Sequence, residues 1–150
     1  MTDLQGLVEG LSSGDSKYAY RCLKRLESKS RSSNIIYPFL ETFAEMLEDP
    51  NSYIRTRALL LIAANARWDE ENKIAQLIDR YLKHIHDEKP ITARQCIRAL
   101  PLIARHKPDL KAGIVSALRK ANLSGYPESM RPLLLKDLQK ALREIGIADG

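Results

Sequence analysis

Asp49-Pro50-Asn51-Ser52-Tyr53-Ile54-Arg55-Thr56-Arg57-Ala58-Leu59-Leu60-Leu61-Ile62-Ala63 is the stretch whose reading decides the fold. Its first four residues can stop one helix and cap the next. The apolar run behind them is a helix face too broad to bury itself alone, as in the middle of a stack with neighbours on two sides. Weaker copies of this turn-plus-helix pattern recur along the chain.

The 150 residues are long enough for one domain with a sizeable core, and 44% hydrophobic with 29% charged residues fits a globular protein. No apolar run approaches the roughly 20 residues of a membrane span. The start Met1-Thr2-Asp3-Leu4-Gln5 lacks the basic-then-apolar layout of a secretory signal, so a cytoplasmic location is the expectation. Cys22 and Cys96 each sit in an apolar helical pattern and read as reduced, small buried hydrophobes.

Glycine and strand signals set the class. Residues 15–112 contain no glycine, and clean period-2 alternation is missing. A β-rich or dinucleotide-binding fold of this size needs glycine in its turns. The chain therefore reads as all-α. Apolar positions at helical spacing predict a first helix around 4–11 and a second opened by Asp15 or Ser16. The polar run 28–34 reads as a mobile loop. A third helix opens at Asn34 with Pro38 in its first turn, and the fourth runs over 52–67. The fifth covers 74–85. The sixth runs over 91–106, with a kink or break expected near Leu100 because Pro101 lies inside it. A seventh begins at 107–109, a loop follows at 122–127, and the last helix ends at Gly146.

These eight helices make four antiparallel pairs, with units of roughly 3–33, 34–69, 70–107 and 108–147. The second helices align on Arg21, Arg55, Arg94 and Arg131, at spacings of 34, 39 and 37 residues. A helix-turn-helix unit at this period marks an α-solenoid. Leu59-Leu60-Leu61-Ile62 and Leu133-Leu134-Leu135 read as core, the alternative being a dimer seam, so both monomer and homodimer remain open.

The Asp49-to-Arg55 turn with Ala58 behind it resembles a HEAT repeat, a family of acidic or proline-containing turns followed by an aliphatic-arginine pair. Asp15 and Arg21 keep the same spacing of six; Arg94 keeps the arginine with Asp87 seven residues before it, and Met130-Arg131 keeps the dyad with Gly125 where the Asp would stand. The resemblance implies a right-handed superhelix of the HEAT and armadillo kind. It also implies that Asp15, Arg21, Asp49, Arg55, Arg94 and Arg131 form a structural ladder, bonding to each other or to turn backbone between units.

Catalytic signatures are missing. There is no C-x-x-C pair, glycine-rich phosphate loop, G-x-S-x-G elbow or H-E-x-x-H. His84 and His86 are two residues apart, on different sides of a helix, and together with His106 read as exposed histidines. Asp69-Glu70-Glu71 reads as helix capping rather than a metal site. No cofactor is expected. Bacterial alkylpurine DNA glycosylases are also small, basic, HEAT-like solenoids, and Trp68 and Asp69 are the residues that such an enzyme would use. That reading is the remotest of three. The leading one is a non-catalytic protein-interaction module or scaffold, with Arg57, Arg98 and Arg105 on its binding surface. Between them stands a nucleic-acid or polyanion binder using the basic second half: residues 72–107 carry a net charge of +5 against −4 for 35–71.

Overall fold

Helix starts are set by side chains that take the first free amides. In the computed structural model, which describes residues 3–146, the Asp15 carboxylate accepts from the amides of Lys17 and Tyr18 and opens α2 (Ser16–Ser32), behind a short α1 (Leu4–Gly10). Asp49 accepts from the Asn51 amide at 2.8 Å, tightening the turn. Asn51 in its turn accepts from Tyr53 at 2.9 Å and caps α4 (Ser52–Ala64). Pro38 lies in a 3-10 turn, Tyr37–Phe39, that leads into α3 (Leu40–Met46). The chain continues with α5 (Lys73–Leu82), α6 (Pro90–His106), α7 (Lys111–Arg119) and α8 (Arg131–Ile145). Gly146 ends α8 at φ +95°, a left-handed conformation that glycine adopts at little cost.

The described residues are all helix, turn and loop, with no strand. α1 packs on α2, α3 on α4 and α7 on α8, while α5 reaches α6 through the 3-10 turn Lys83–His86. The second helices also touch one another in series, α2 to α4, α4 to α6 and α6 to α8. One continuous core threads them all, from Leu7 through Leu26, Phe43, Ile62, Tyr81 and Ile103 to Ala141. Contacts between successive pairs repeat near one period: Thr56 meets Thr92, Arg67 meets Arg31 and Arg80 meets Ala44, each 36 residues apart. Both cysteines are buried and unbridged. Among the described residues, no helix is long and apolar enough to cross a membrane.

Four expectations change. The stretch 28–34 is mostly not a loop: α2 runs to Ser32 because Ser30 is buried, donating to the Leu26 carbonyl at 2.8 Å and accepting from Asn65 at 3.1 Å. The helix expected over 52–67 stops at Ala64 and finishes in a 3-10 turn, Ala66–Trp68. Pro101 does not break α6, which runs about three turns before it and more than a turn beyond. Its missing N–H costs one bond of a 17-residue helix whose apolar side is held from both flanks. Leu59, Leu61, Ile62 and Leu134 are core, but Leu133 and Leu135 are 38% and 49% exposed.

Candidate functional site

Arg55 lies at the first turn of α4 and is almost fully buried. Its Nε and Nη2 donate to the two carboxylate oxygens of Asp87 at 2.9 and 2.8 Å, and its Nη1 donates to the carbonyls of Asp49 and Pro50, each at 3.0 Å. One guanidinium thus ties the turn before α4 to the turn before α6. Asp87 also accepts from the Lys89 amide at 2.9 Å and contacts His84 Nδ1 at 2.7 Å. Burial pushes the Asp87 carboxyl up, but the bonds from Arg55, the Lys89 amide and His84 outweigh it and hold it below the usual carboxylate range. His84 is therefore not a free exposed histidine: its side chain is 12% exposed.

The other aligned residues behave less uniformly. Arg94 reaches forward to Asp137 on α8, with Nε to Oδ2 at 2.7 Å. Arg131 takes turn backbone, the carbonyls of Tyr126 and Ser124, at 2.8 and 3.1 Å. Arg21 is exposed and lies over the Tyr18 ring, 5.8 Å from its centroid, with no side-chain hydrogen bond to a neighbouring unit among the described residues. Asp15 and Asp49 spend their carboxylates on amides of their own turns, so neither pairs with an arginine.

Of the three residues expected on the binding surface, Arg57 is misplaced. It is 9% exposed, and its Nη1 donates to the Leu11 carbonyl at 2.7 Å, clamping α4 to the end of α1. It leaves the surface because that carbonyl needs a donor in a buried site. Arg98 is half exposed and lies 3.6 Å from Asp137, in a cleft of about 230 Å³ shared with Lys140 and Glu144. Arg105 is exposed and makes no ion pair among the described residues.

Asp69 and Trp68 sit at the opposite ends of these helices. The Asp69 carboxylate accepts from the Tyr37 hydroxyl, from the amides of Lys73 and Ile74 at 2.9 and 3.1 Å, and lies 3.4 Å from Lys107 Nζ. Four partners fill both oxygens. This saturated group caps α5 and joins α6 to the layer below it, leaving no lone pair for a substrate. Trp68 donates its indole N–H to the Ser30 carbonyl at 2.6 Å. His86 Nε2 accepts from the Asn122 amide at 2.9 Å, and the described residues hold no cluster of three metal-ligating side chains.

Charge is segregated by layer rather than by chain half. α2 carries six lysines and arginines against Glu27, α4 carries two and α6 three with no acid, and α8 carries four against Asp137 and Glu144. The first helices carry four of each sign. The windows 35–71 and 72–107 each sum one layer with the other, and neither includes α2. Arg31 and Arg67 are both exposed and with Arg105 follow the repeat at 36 and 38 residues. That spacing was the available signal. Exposed apolar side chains gather at the other ends of the same helices: Tyr53 is 70% and Ile91 59% exposed.

Comparison with protein-family models, curated proteins and solved structures finds no match for this chain.

Proposed function

We propose that this chain is a HEAT-like α-solenoid that works as a non-catalytic interaction module, docking a partner on the face formed by α2, α4, α6 and α8. The observation that carries this reading is the charge asymmetry of the two layers. Fifteen basic residues lie on one layer against three acidic ones; Arg55, Arg57, Arg94 and Arg131 hold turns and helices together, and the exposed remainder costs self-repulsion that packing does not require. A partner of opposite charge offsets that cost. Solenoids leave such a layer open as a continuous surface, and extended partners lie along it without chemistry. The buried groups that could do chemistry are already engaged, Asp87 with Arg55 and His84 and Asp69 with Tyr37 and the amides of Lys73 and Ile74, which favours binding over catalysis.

Site-specific photo-cross-linking tests the reading. A benzoylphenylalanine placed at Thr56 or Gln95, on the second-helix layer, is expected to trap a partner in cells that express the protein. The same group at Glu45 or Gln76, on the first-helix layer, is expected to trap none. Equal trapping from both layers, or trapping from the first-helix layer alone, would sink the proposal.

A further inference from the structure

α2 is the most basic helix of the second-helix layer, and its cations are not scattered. Ala19, Cys22, Leu23, Leu26 and Ser30 are buried and fix the side that faces the core. At 3.6 residues per turn, Lys17, Arg21, Lys24, Ser28 and Arg31 fall in one row on the opposite side, and all five are exposed. One helix carries the whole row, so its length follows from the rise of about 1.5 Å per residue, about 21 Å from Lys17 to Arg31. Exposed Arg25 flanks the row on one side and exposed Tyr20 on the other. Lys24 Nζ lies 5.3 Å from the centroid of the Tyr20 ring. Two side chains of the next unit reach the C-terminal end of α2. Exposed Arg67 donates to the Arg31 carbonyl at 2.9 Å, and half-buried Trp68 donates to the Ser30 carbonyl at 2.6 Å.

Folding does not ask for this row. The helix dipole favours cations in the last turn, which accounts for Lys29 and Arg31. Lys17 stands at the positive end, where the dipole disfavours it. Lys17 with Arg21, Arg21 with Arg25, and Arg25 with Lys29 are like charges four residues apart, and each such pair destabilises a helix. The one carboxylate within α2, Glu27, lies 3.3 Å from Lys24. The other five cations of α2 make no ion pair among the described residues.

Resting on the docking face proposed above, we propose that the α2 row binds single-stranded nucleic acid, its cations taking phosphates while Tyr20 and Trp68 offer rings to the bases. The composition of the surface decides the class. Protein interfaces gather apolar and aromatic side chains at their centre and are poor in lysine. The centre of this surface is Lys17, Arg21, Lys24 and Arg31, and α2 exposes no aliphatic side chain. A lipid surface is held by an apolar stripe that inserts, and Leu23 and Leu26 are spent on the core. Phosphates are taken by arginine, lysine, serine and tyrosine, the residue types that this side of α2 exposes. Sites for single strands join such a cationic track to rings on which bases stack. Tyr20 lies near the first turn of α2 and Trp68 against its last, so the track has a ring towards each end. A duplex keeps its bases stacked on one another and would leave both rings unused.

Fluorescence anisotropy with the full chain tests this. The probes are a labelled oligothymidylate, a duplex of the same length, and a glutamate homopeptide of the same charge. The oligothymidylate is expected to bind most tightly, with an association constant that falls as salt rises. Arg21→Gln with Arg31→Gln removes two phosphate contacts. It is expected to weaken binding about tenfold and to flatten the log–log salt slope by about 1.4. Tyr20→Ala is expected to weaken binding about fivefold with that slope unchanged, as loss of a stacking contact does. Lys111→Gln with Arg119→Gln removes the same charge from α7 and is expected to change neither quantity. Circular dichroism checks that the variants stay folded, which the exposure of Tyr20, Arg21 and Arg31 favours. Tighter binding of the homopeptide or the duplex, no binding at all, equal loss in the two double variants, or an unchanged affinity in Tyr20→Ala would each overturn the proposal. Cross-links from Thr56 or Gln95 that persist in the Arg21/Arg31 variant would retain the docking face while removing the α2 row from it.

Discussion

At the scale of single residues, Arg55 and Asp87 are the pair on which most depends. Leaving one member of a buried ion pair without the other costs about 3–5 kcal/mol. Arg55→Ala is therefore expected to lower the urea midpoint sharply, and Asp87→Asn nearly as much, because Asp87 also holds the Lys89 amide and His84. The pH dependence follows from the depressed Asp87 carboxyl. Unfolded, an aspartate titrates near 3.9. The stabilisation is complete above that value and is lost as pH falls through the lower folded one. Urea melts at pH 6 and pH 3 check this: part of the acid loss seen in the wild type should be absent in Asp87→Asn. His106 works in the same direction in another window. Burial with Arg67 and Arg105 nearby lowers its pKa, so the folded chain resists protonating it and stability declines as pH drops below about 6.5. An NMR titration of His106 should move upward in Arg67→Gln; no movement would mean that Arg67 does not act on His106. The sequence marked Arg55 by its place in the turn, but not its partner. A spacing of six pointed to Asp49, whose carboxylate goes to an amide while its carbonyl takes the guanidinium. The pattern fixes a position on the helix and leaves the direction of the bonds to the neighbouring turn.

At the scale of elements, packing explains what periodicity missed. Gly10 closes α1 where a Cβ would lie 2.4 Å from Cys22 Sγ and 3.0 Å from the Tyr18 ring. Gly10→Ala must push α1 off α2 and is expected to cost about 1–3 kcal/mol. Cys22→Ala removes the nearer atom, so the double variant should be less unstable than the two single effects added together. Additive effects in thermal melts would mean that α1 and α2 do not meet there. Sequence alone gave Gly10 no more weight than Gly6 or Gly14, since close approach belongs to a pair of helices and not to either one. Pro101 is the opposite case. It was legible as a breaker, and α6 runs through it because flanking α4 and α8 hold the helix on both sides. A proline in a helix interior is about 3 kcal/mol worse than alanine. Pro101→Ala is thus expected to raise the melting temperature, and a lower one would show that the ring's own contacts outweigh the lost hydrogen bond.

At the scale of the whole molecule, the all-helical class and the pairing of helices were legible because the apolar stripes and turn residues repeat. The distribution of charge was not. Alternate helices belong to different layers, and a window along the chain sums across them. The layer of α2, α4, α6 and α8 is basic on every member, while the first-helix layer is balanced. Few of these charges are neutralised: Arg55 and Arg94 have buried carboxylate partners, but Arg31, Arg67 and Arg105 have none among the described residues. Exposed charges a helix spacing apart, about 8–10 Å, still repel within a Debye length of about 10 Å at 0.1 M salt. At 1 M that length falls to about 3 Å and the repulsion is screened, whereas the buried Arg55–Asp87 pair is barely affected. Net repulsion on one layer therefore makes the folded chain gain stability with salt. Urea melts in sodium chloride between 20 mM and 500 mM should show a rising midpoint, most of the rise below 200 mM. Arg67→Gln with Arg105→Gln should flatten that rise while raising the low-salt midpoint, because it removes two of the unneutralised charges. A midpoint that falls with salt would mean that attractive pairs, such as Arg94 with Asp137, dominate the surface. The asymmetry would then carry no stored repulsion for an acidic partner to relieve.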